Sequence, residues 1–531
     1  MANCVSCFGT GKVGPSCRVA LRSASPKPAG TIVSGEQPTV TTRTTSPATV
    51  IGPIESVQIE NFRGARDLTI QLDPQVTVFF GVNAAGKTTI LRALAVGLGA
   101  LVPEAYDMTA PSFLASDIRR PRKVRTHEPP MNTEDKDVPR QLDLLCLAEA
   151  TTNPSDISVV GQMERYARVT IRCASCQWDV TKLRSVRDAP QRDSIGKESL
   201  NAILDPLMME ALDACPETAA SQRLIPLVAA YGTERAVIDV PLRDRGFRRE
   251  LFRLEAFDDS LCASTRFKTV FEWFWFAEDE ERRDRERLGS RRYRSPSLEW
   301  VRKAIAQAEF RCSNPRIENK PIRMLVDFEH EDGHIEALDI ASLSDGYRTH
   351  FALLIDIARR MVQLNPSDDL DAPDRGTNSE AIVLIDEIDL HLDPTWQATV
   401  VRGLRAAFPR AQFVLTTHSE QVIASVPAAS VRKVVVEEGE VRVEGVPFAQ
   451  GASGERILIE LMGAKARVPG DVTRMLEKYL RLVENQEEEG EEAISLRSQL
   501  DEAIPRDELL FRADMSVRRR KIVARFKGKK P

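Results

Sequence analysis

Short apolar runs separated by polar turns dominate the hydrophobic pattern, and they predict the strands of a buried sheet. Residues 56–59 and 68–72 alternate apolar and polar side chains, which is typical of strands with one buried face. Residues 76–80 and 382–385 are almost entirely apolar, which predicts strands buried on both faces. Residues 88–98 then carry apolar side chains at helical spacing. We therefore expect an α/β fold with a mixed sheet flanked by helices.

A glycine-rich loop connects the first buried strand to this helix, and its sequence GVNAAGKTT fits the phosphate-binding pattern G-x-x-x-x-G-K-[ST]. Glycines let the backbone wrap around a phosphate, and amide N–H groups at the helix N-terminus face the anion. We expect Lys87 to reach the β- and γ-phosphates of a nucleotide, and Thr88 to bind Mg²⁺ through its hydroxyl. The residues of this loop predicted to bind nucleotide are Gly81, Asn83, Gly86, Lys87, Thr88 and Thr89.

Two acids, Asp386 and Glu387, directly follow the apolar residues 382–385. The carboxyl ends of parallel strands commonly form ligand sites, so Asp386 is predicted to hold Mg²⁺, directly or through water. Glu387 is then placed to polarise the attacking water as a catalytic base. An exposed acidic turn would have the same sequence, but the phosphate-binding loop favours the metal site.

Two further short motifs lie near these acids in the sequence. Residues 342–348 read SLSDGYR and precede an apolar helix, so Ser344 and Gly346 would lie where a helix N-terminus meets a γ-phosphate. Residues 412–419 read QFVLTTHS and predict a strand that ends near His418. A neutral imidazole there would contact the γ-phosphate or position the water. Taken alone, each motif is weak, since a histidine after a strand is more often structural.

In this order the motifs resemble those of the ABC-type ATPases of the SMC/RecF/OLD class, over residues 54 to about 430. The resemblance implies an ABC-type P-loop ATPase head that uses ATP and Mg²⁺. It makes LSDG the signature motif, Asp393 part of the D-loop, and Glu387 and His418 catalytic. It also implies a head-to-tail homodimer or higher assembly, in which Ser344 and Gly346 of one chain complete the other chain's ATP site.

The wording of the motifs LSDGYR, LHLDPTWQ and AAYGTER is similar to PtuA-like ATPases of bacterial Septu and retron defence systems. This resemblance implies an ATPase that regulates a partner nuclease in antiphage defence, and we find no nuclease motif in the chain itself. The alternative is a DNA repair or recombination clamp of the RecF kind, which would bind DNA and be sensitive to salt. A transporter subunit is disfavoured by the LSDG-type signature and the large insertions.

The sequence departs from the family pattern at two places. Relatives usually have a glycine at the position of Ala84, so Ala84 is expected to fit the loop only with a negative φ. The candidates for the Q-loop are Gln162 and residues 231–235. Within that segment, Arg235 would either contact phosphate or form a structural ion pair.

Composition shifts along the chain predict its organisation. Residues 1–50 are rich in Ser, Thr, Pro and Gly and are predicted to be disordered. Heptads are not sustained after the phosphate loop, so helical insertions are expected there rather than a long coiled coil. The predicted units are therefore a disordered segment (1–50), an N-terminal lobe with the phosphate loop (51–115), an insertion region with a β-patterned segment and helices (116–340), a C-terminal lobe with the remaining motifs (341–445), and a helical region with a basic tail (446–531).

The net charge of −5 over 531 residues argues against binding polyanions over the whole surface, although local patches can be basic. Basic residues cluster at 119–125 and 518–530, and each cluster would either bind DNA or RNA or remain solvated. The aromatic run at 271–276 predicts a buried helix or a partner-docking face. No apolar run is long enough to span a membrane and no signal sequence is evident, so we expect a cytoplasmic location without membrane contact.

Nine cysteines are scattered along the chain, and reduced thiols are the expected state in a cytoplasmic protein. Cys4 and Cys7 look like one half of a zinc site, but only Cys17 follows nearby. Cys173 and Cys176 lie in a two-residue pattern that would point them to opposite faces of a strand. Whether Cys4, Cys7 and Cys17 bind zinc stays open at this point.

Overall fold

The computed structural model describes residues 51–102, 111–120, 122–123, 159–160, 163–185, 196–213, 223–233, 252–262, 267–319, 322–464, 467 and 470–527. The segment predicted to be disordered, Gln162, Arg235 and the cysteines at 4, 7 and 17 lie outside these residues.

The strands are β1 (Ile54–Phe62), β2 (Ala65–Gln71), β3 (Val76–Phe80), β4 (Arg122–Lys123), β5 (Val159–Val160), β6 (Tyr166–Cys173), β7 (Gln177–Leu183), β8 (Leu227–Tyr231), β9 (Cys312–Asn319), β10 (Ile322–Glu329), β11 (Ile335–Asp339), β12 (Ala381–Ile385), β13 (Ala411–Thr416), β14 (Val431–Glu437) and β15 (Glu440–Gly445). The α-helices are α1 (Lys87–Leu98), α2 (Lys197–Asp213), α3 (Phe267–Leu288), α4 (Pro296–Gln307), α5 (Asp345–Leu364), α6 (Pro394–Gln397), α7 (Val400–Ala407), α8 (Glu420–Ala424), α9 (Gly454–Arg456), α10 (Asp471–Glu484), α11 (Glu491–Ala503) and α12 (Glu508–Lys527).

The largest sheet in the described residues has six strands, in the order β15–β14–β3–β13–β12–β8. Five of these strands are parallel, and β15 is an antiparallel edge strand. Strands β3, β12 and β13 are buried at every position, in agreement with their apolar sequences. Neighbouring parallel strands end at the same edge of a sheet, so the segments that follow β3, β12 and β13 are brought together there.

A second sheet has the order β2–β1–β6–β7 and is antiparallel throughout. The hairpin β6–β7 lies within the region predicted as an insertion, yet it pairs with β1 of the N-terminal lobe. It also packs against α1, because Trp178 Nε1 donates to the backbone O of Gly97 at 2.9 Å. A Cβ at Gly97 would come within 2.6 Å of Ile171 Cδ1, so this helix and hairpin touch closely. The domain boundaries themselves stay predictions.

A buried charge cluster fixes α5 against the large sheet. Asp356 is 1% exposed and accepts hydrogen bonds from Arg359 (2.7 Å), Arg360 (2.8 Å) and the hydroxyl of Tyr231 (2.9 Å). Burial by itself raises the pKa of Asp356, but the two arginines outweigh it and lower the pKa to about 2. Arg360 also donates to the backbone O of Ala256, so one ionic centre joins α5, β8 and the turn at Arg253–Phe257.

The third sheet, β11–β10–β9, is antiparallel and lies next to the helical hairpin α3–α4 in the sequence. The aromatic run predicted for α3 is largely buried, since Phe271 and Phe274 are fully enclosed and Trp273 is 6% exposed. The interpretation of this run as a buried helix face is therefore confirmed for these three residues.

The helices α10, α11 and α12 form a hydrophobic cluster of their own, separate from the main core. Its most buried members are Leu476 and Leu500, at 1% and 0% exposure. The basic segment after residue 517 continues α12 as far as Lys527. None of the helices in the described residues is long and apolar enough to cross a membrane.

Candidate nucleotide-binding site

The loop between β3 and α1 is built on two glycines that no other residue could replace without strain. Gly81 has φ of 156°, and a Cβ there would collide with the backbone O of Val434 in β14. Gly86 has φ of 107° and lies 3.0 Å, measured from an ideal Cβ position, from the side chain of Val441 in β15. These contacts show that the hairpin β14–β15 supports the loop from one side.

Ala84 does not have the negative φ that we expected. Its φ is 63°, in the left-handed region that glycine adopts most easily. The alanine therefore reproduces the backbone of a glycine-containing loop at a steric cost of roughly 1–2 kcal/mol. The prediction was wrong because it assumed that the side chain would determine the backbone, whereas the surrounding loop does.

Lys87, the first residue of α1, is 6% exposed and points back into the loop. Its Nζ donates to the backbone O of Gly81 at 2.9 Å and of Val82 at 3.1 Å. Burial lowers the pKa of Lys87, and the nearby Asp386 and Glu387 oppose this shift. The lysine is therefore a positive charge held inside a curved backbone, which suits the binding of a polyphosphate.

Thr88 and Asp386 meet at the edge where the parallel strands end. The Thr88 hydroxyl donates to Asp386 Oδ2 at 2.9 Å, and the Thr416 hydroxyl donates to Asp386 Oδ1 at 2.5 Å. Two neighbouring ligands of an octahedral Mg²⁺ ion at 2.0–2.1 Å are separated by about 3 Å. The oxygen pair from Thr88 and Asp386 therefore fits Mg²⁺ both in chemistry and in spacing, and it matches the predicted metal ligands.

Glu387 lies two residues after the end of β12 and is partly exposed, with its backbone in the left-handed region at φ 48°. Its backbone N–H donates to the Thr416 hydroxyl at 2.7 Å, which fixes this unusual conformation. Positive φ at a residue other than glycine is uncommon and often marks a functional site.

His418 lies two residues after β13 and is held by Asp389. The backbone N–H of His418 donates to the two carboxylate oxygens of Asp389 at 3.2 and 3.3 Å. The hydroxyl of Thr417 donates to the same carboxylate at 2.6 Å. Asp389 thus ties the histidine turn to the segment that carries Glu387.

The signature residues Ser344 and Gly346 lie at the N-terminus of α5. Ser344 is the exposed N-cap residue of this helix. A Cβ at Gly346 would collide with the backbone O of His391, so the helix start lies directly against the segment before α6. Asp393 caps α6 and accepts from the Thr395 N–H at 2.8 Å. Hydrogen bonds from Thr395 lower the pKa of Asp393, so its exposed carboxylate remains charged.

The structure thus brings Lys87, Thr88, Asp386 and Glu387 together, as the sequence predicts, and leaves Asn83 exposed on the loop. Thr89 is half-buried in the first turn of α1. Ser344, Gly346 and Asp393 form a second group around His391 and α6. The roles given to all these residues stay predictions.

Two residues at the site were not singled out from the sequence. Thr416 is bonded to Asp386 and to the backbone of Glu387, while Asp389 holds His418. The sequence contains one signal for each: an acid two positions after Glu387, and a threonine at the end of a buried strand. Tyr231, which lies in the Q-loop candidate segment, instead donates its hydroxyl to Asp356 in the buried charge cluster.

Family models match two separate parts of the chain. One described as "AAA domain" matches residues 56–169, which include the phosphate-binding loop. One described as "AAA domain, putative AbiEii toxin, Type IV TA system" matches residues 271–424, which include the LSDG motif and both acids.

Curated relatives match over shorter stretches. A retron Ec83 probable ATPase from Escherichia coli is 33% identical over 39% of this chain and 36% of its own length. The Septu protein PtuA from Bacillus mycoides (strain KBAB4) is 34% identical over 30% of this chain and 22% of its own length. The chain therefore spans little more than a third of the first of these relatives and less of the second.

Among solved structures, an SMC head bound to the C-winged helix domain of ScpA matches over 74% of this chain and 97% of its own length, at 15% identity and a TM-score of 0.39. The class is assigned from the motifs and the sequence matches, not from this weak likeness. In its motifs and in these sequence comparisons the chain matches the ABC-type P-loop ATPases of the SMC/RecF/OLD class. Within that class, the curated proteins that it resembles include retron and Septu ATPases.

Proposed function

We propose that ATP and Mg²⁺ bind at the edge formed after β3, β12 and β13, and that ATP is hydrolysed there in a head-to-tail dimer. The observation that carries this proposal is the contact between Thr88 and Asp386, whose oxygens lie 2.9 Å apart although 298 residues separate them. A hydroxyl at the end of the phosphate-binding loop and a carboxylate at the end of another strand are the ligands that Mg²⁺ takes in P-loop ATPases.

Each residue of the loop has a distinct task in this proposal. The backbone N–H groups of Gly81 to Thr89 surround the phosphates, and Lys87 exchanges its contacts with the backbone O atoms of Gly81 and Val82 for phosphate oxygens. Thr88 and Asp386 hold Mg²⁺, which neutralises charge on the phosphates.

Glu387 polarises the attacking water, and His418 contacts the γ-phosphate from the neighbouring strand end. Thr416 and Asp389 orient these two groups through the hydrogen bonds to the Glu387 and His418 backbone. The positive φ of Glu387 supports a role that requires an exact direction for this side chain.

The dimer follows from a count of motifs. The chain contains one phosphate-binding loop and one LSDG motif, and the contacts of Gly346 are with His391 rather than with the loop. Two complete sites therefore need a second chain, whose Ser344, Gly346 and Asp393 would face the γ-phosphate. The exposure of Ser344 and Asp393 supports this arrangement.

The substitution Glu387→Gln tests the proposal. We expect hydrolysis to slow about 10²-fold, because the water loses its base, while ATP stays bound and the dimer accumulates. Phosphate release and the mass in solution with MgATP measure the two effects. Lys87→Ala is the matched control and should neither bind ATP nor dimerise. Turnover by Glu387→Gln at the wild-type rate would contradict the assignment of the base.

We further propose that the ATPase regulates a partner nuclease in antiphage defence. The similarity to retron and Septu ATPases supports this role, as does the lack of a nuclease motif in the sequence. A pull-down of tagged Glu387→Gln protein from its native cell, followed by mass spectrometry, tests it. A stoichiometric nuclease would support the regulator. A dimer that carries only DNA would favour the repair clamp instead.

A further inference from the structure

Four aromatic side chains join the signature turn, which carries Ser344 and Gly346, to the D-loop around Asp393. We refer to these side chains as the aromatic cluster: Phe310, Phe328, Tyr347 and Trp396. The rings of Tyr347 and Trp396 meet edge to face with centroids 3.8 Å apart. Phe310 lies 5.3 Å from Tyr347 and 5.2 Å from Trp396, and Phe328 lies 5.0 Å from Tyr347. Such spacings are those of favourable aromatic pairs.

The position of the cluster links two motifs that are distant in the sequence. Tyr347 directly follows Gly346 in the first turn of α5, and Trp396 lies in α6, three residues after Asp393. Between the two helix starts there is no space for a further side chain, since a Cβ at Gly346 would collide with the backbone O of His391. The two turns therefore cannot approach each other further, and the rings oppose their separation.

The cluster also differs from ordinary core. Phe310 is 8% exposed, but Tyr347 and Trp396 are only partly buried, next to the exposed Ser344 and Asp393. Burial raises the pKa of Tyr347 to about 12, so this ring stays neutral in the contact. Tyr and Trp side chains at a protein surface are common in interfaces, where they contact a partner as well as pack against their own chain.

We propose that the aromatic cluster is a positioning device that holds the signature turn and the D-loop as one rigid unit. Both turns then reach the ATP of the second chain together, which makes ATP-driven assembly all-or-none and couples the two sites. This inference rests on the head-to-tail dimer proposed above. All four residues of the aromatic cluster are positioning residues in this scheme and take no part in the chemistry.

The test compares Trp396→Leu with Trp396→Phe in the full chain, each also combined with Glu387→Gln. We expect the monomer of Trp396→Leu to bind MgATP with wild-type affinity, because the phosphate-binding loop is unchanged. Its kcat should fall about tenfold, the dependence of rate on ATP should lose cooperativity, and half-dimerisation of the double variant should need about tenfold more protein. Trp396→Phe should restore most of each property, since a ring is retained.

Trp273→Leu provides a matched control, because it removes a buried tryptophan from α3, outside the aromatic cluster. A lowered melting temperature with unchanged kcat and assembly is expected for this control. The same result for Trp396→Leu would overturn the inference and make the cluster ordinary packing. If the wild-type protein and Glu387→Gln both stay monomeric with MgATP, the proposed dimer itself fails, and the inference falls with it. Unchanged nucleotide affinity verifies that each variant is folded.

Discussion

At the scale of single residues, the hydroxyl of Thr416 touches both acids of the site. It donates to Asp386 Oδ1 at 2.5 Å and accepts from the backbone N–H of Glu387 at 2.7 Å. One oxygen atom therefore sets the relative positions of the proposed metal ligand and the proposed base. Its one sequence signal, a position at the end of a buried strand, is shared with many structural threonines and does not reveal this role.

Thr416→Val removes this hydroxyl and keeps the shape of the side chain. We predict that kcat falls about tenfold, because the hydrogen bond to the Glu387 backbone orients the proposed base. The affinity for MgATP should fall less, because Thr88 still contacts Asp386. Steady-state phosphate release and nucleotide titration measure the two quantities. Thr77→Val, in the buried strand β3, is the control and should alter stability only. Equal losses of kcat in both variants would refute the role of Thr416.

Ala84 is the second residue at which the local conformation has a direct consequence. Because its φ of 63° is unfavourable for alanine, Ala84→Gly should raise the free energy of unfolding by about 1 kcal/mol. Ala85→Gly, at a buried neighbour without positive φ, should instead lower it by about 0.5–1 kcal/mol. Urea unfolding of both variants makes the comparison, and a loss of stability in Ala84→Gly would contradict the strain.

Cys173 and Cys176 correct an expectation from the sequence. The two-residue pattern predicted opposite faces, but β6 ends at Cys173 and the chain turns, which brings the sulfur atoms within 3.2 Å. Strand periodicity does not continue through a hairpin turn, so it could not predict this contact.

The chemistry of the thiols follows from this contact. Burial and the neighbouring Cys173 raise the pKa of Cys176 to about 11, so little thiolate exists near pH 8. We predict that alkylation of Cys176 is slow at pH 8 and speeds up about tenfold per pH unit towards that pKa. In Cys173→Ser, part of the upward pKa shift is lost, and alkylation at pH 8 should be faster. Mass spectrometry of the peptide with residues 173–182 measures the rates; a pH-independent rate would disprove this account.

At the scale of elements, the sequence predicts the positions of strands and helices better than it predicts which strands pair. The strands around residues 56–80, the helix after the loop and the strand before Asp386 were all predicted, because each is set by its own residues. The pairing of β6 with β1 was not, since it joins segments that are about a hundred residues apart and depends on tertiary contacts. The charge cluster around Asp356 was not predicted either, because it also depends on tertiary contacts. In the sequence alone, an acid and two arginines on a helix normally predict a solvated face.

The C-terminal helices α10–α12 have a hydrophobic core of their own. We therefore predict that they can unfold locally while the main core stays folded. Leu500→Ala removes a fully buried side chain from that core and should cost about 2–5 kcal/mol of local stability. Nucleotide affinity should not change, because the binding loop belongs to the main core. Limited proteolysis should show faster cleavage after residue 470 only, with Leu496→Ala, at a partly buried site, as a milder control. Loss of nucleotide binding in Leu500→Ala would show that the two cores are coupled.

At the scale of the whole molecule, the sequence does not show which basic surfaces are free. The basic cluster at 119–125 was considered as a phosphate-binding surface, yet Arg119 is 8% exposed and donates to Glu440 at 2.9 Å. In α12, Arg520 donates to the backbone O of Val483 and Lys521 pairs with Glu489. Part of the positive charge is therefore balanced within the chain, a result that composition alone cannot give.

The support of the phosphate-binding loop by the hairpin β14–β15 has a consequence for biosynthesis. Strand β3 has β13 and β14 as its neighbours, and Gly81 and Gly86 lie against Val434 and Val441. A ribosome makes these supporting residues more than 300 positions after the loop. During that interval the nascent chain holds a phosphate-binding loop without its support, and we expect ATP to stabilise the protein only after this hairpin has been made.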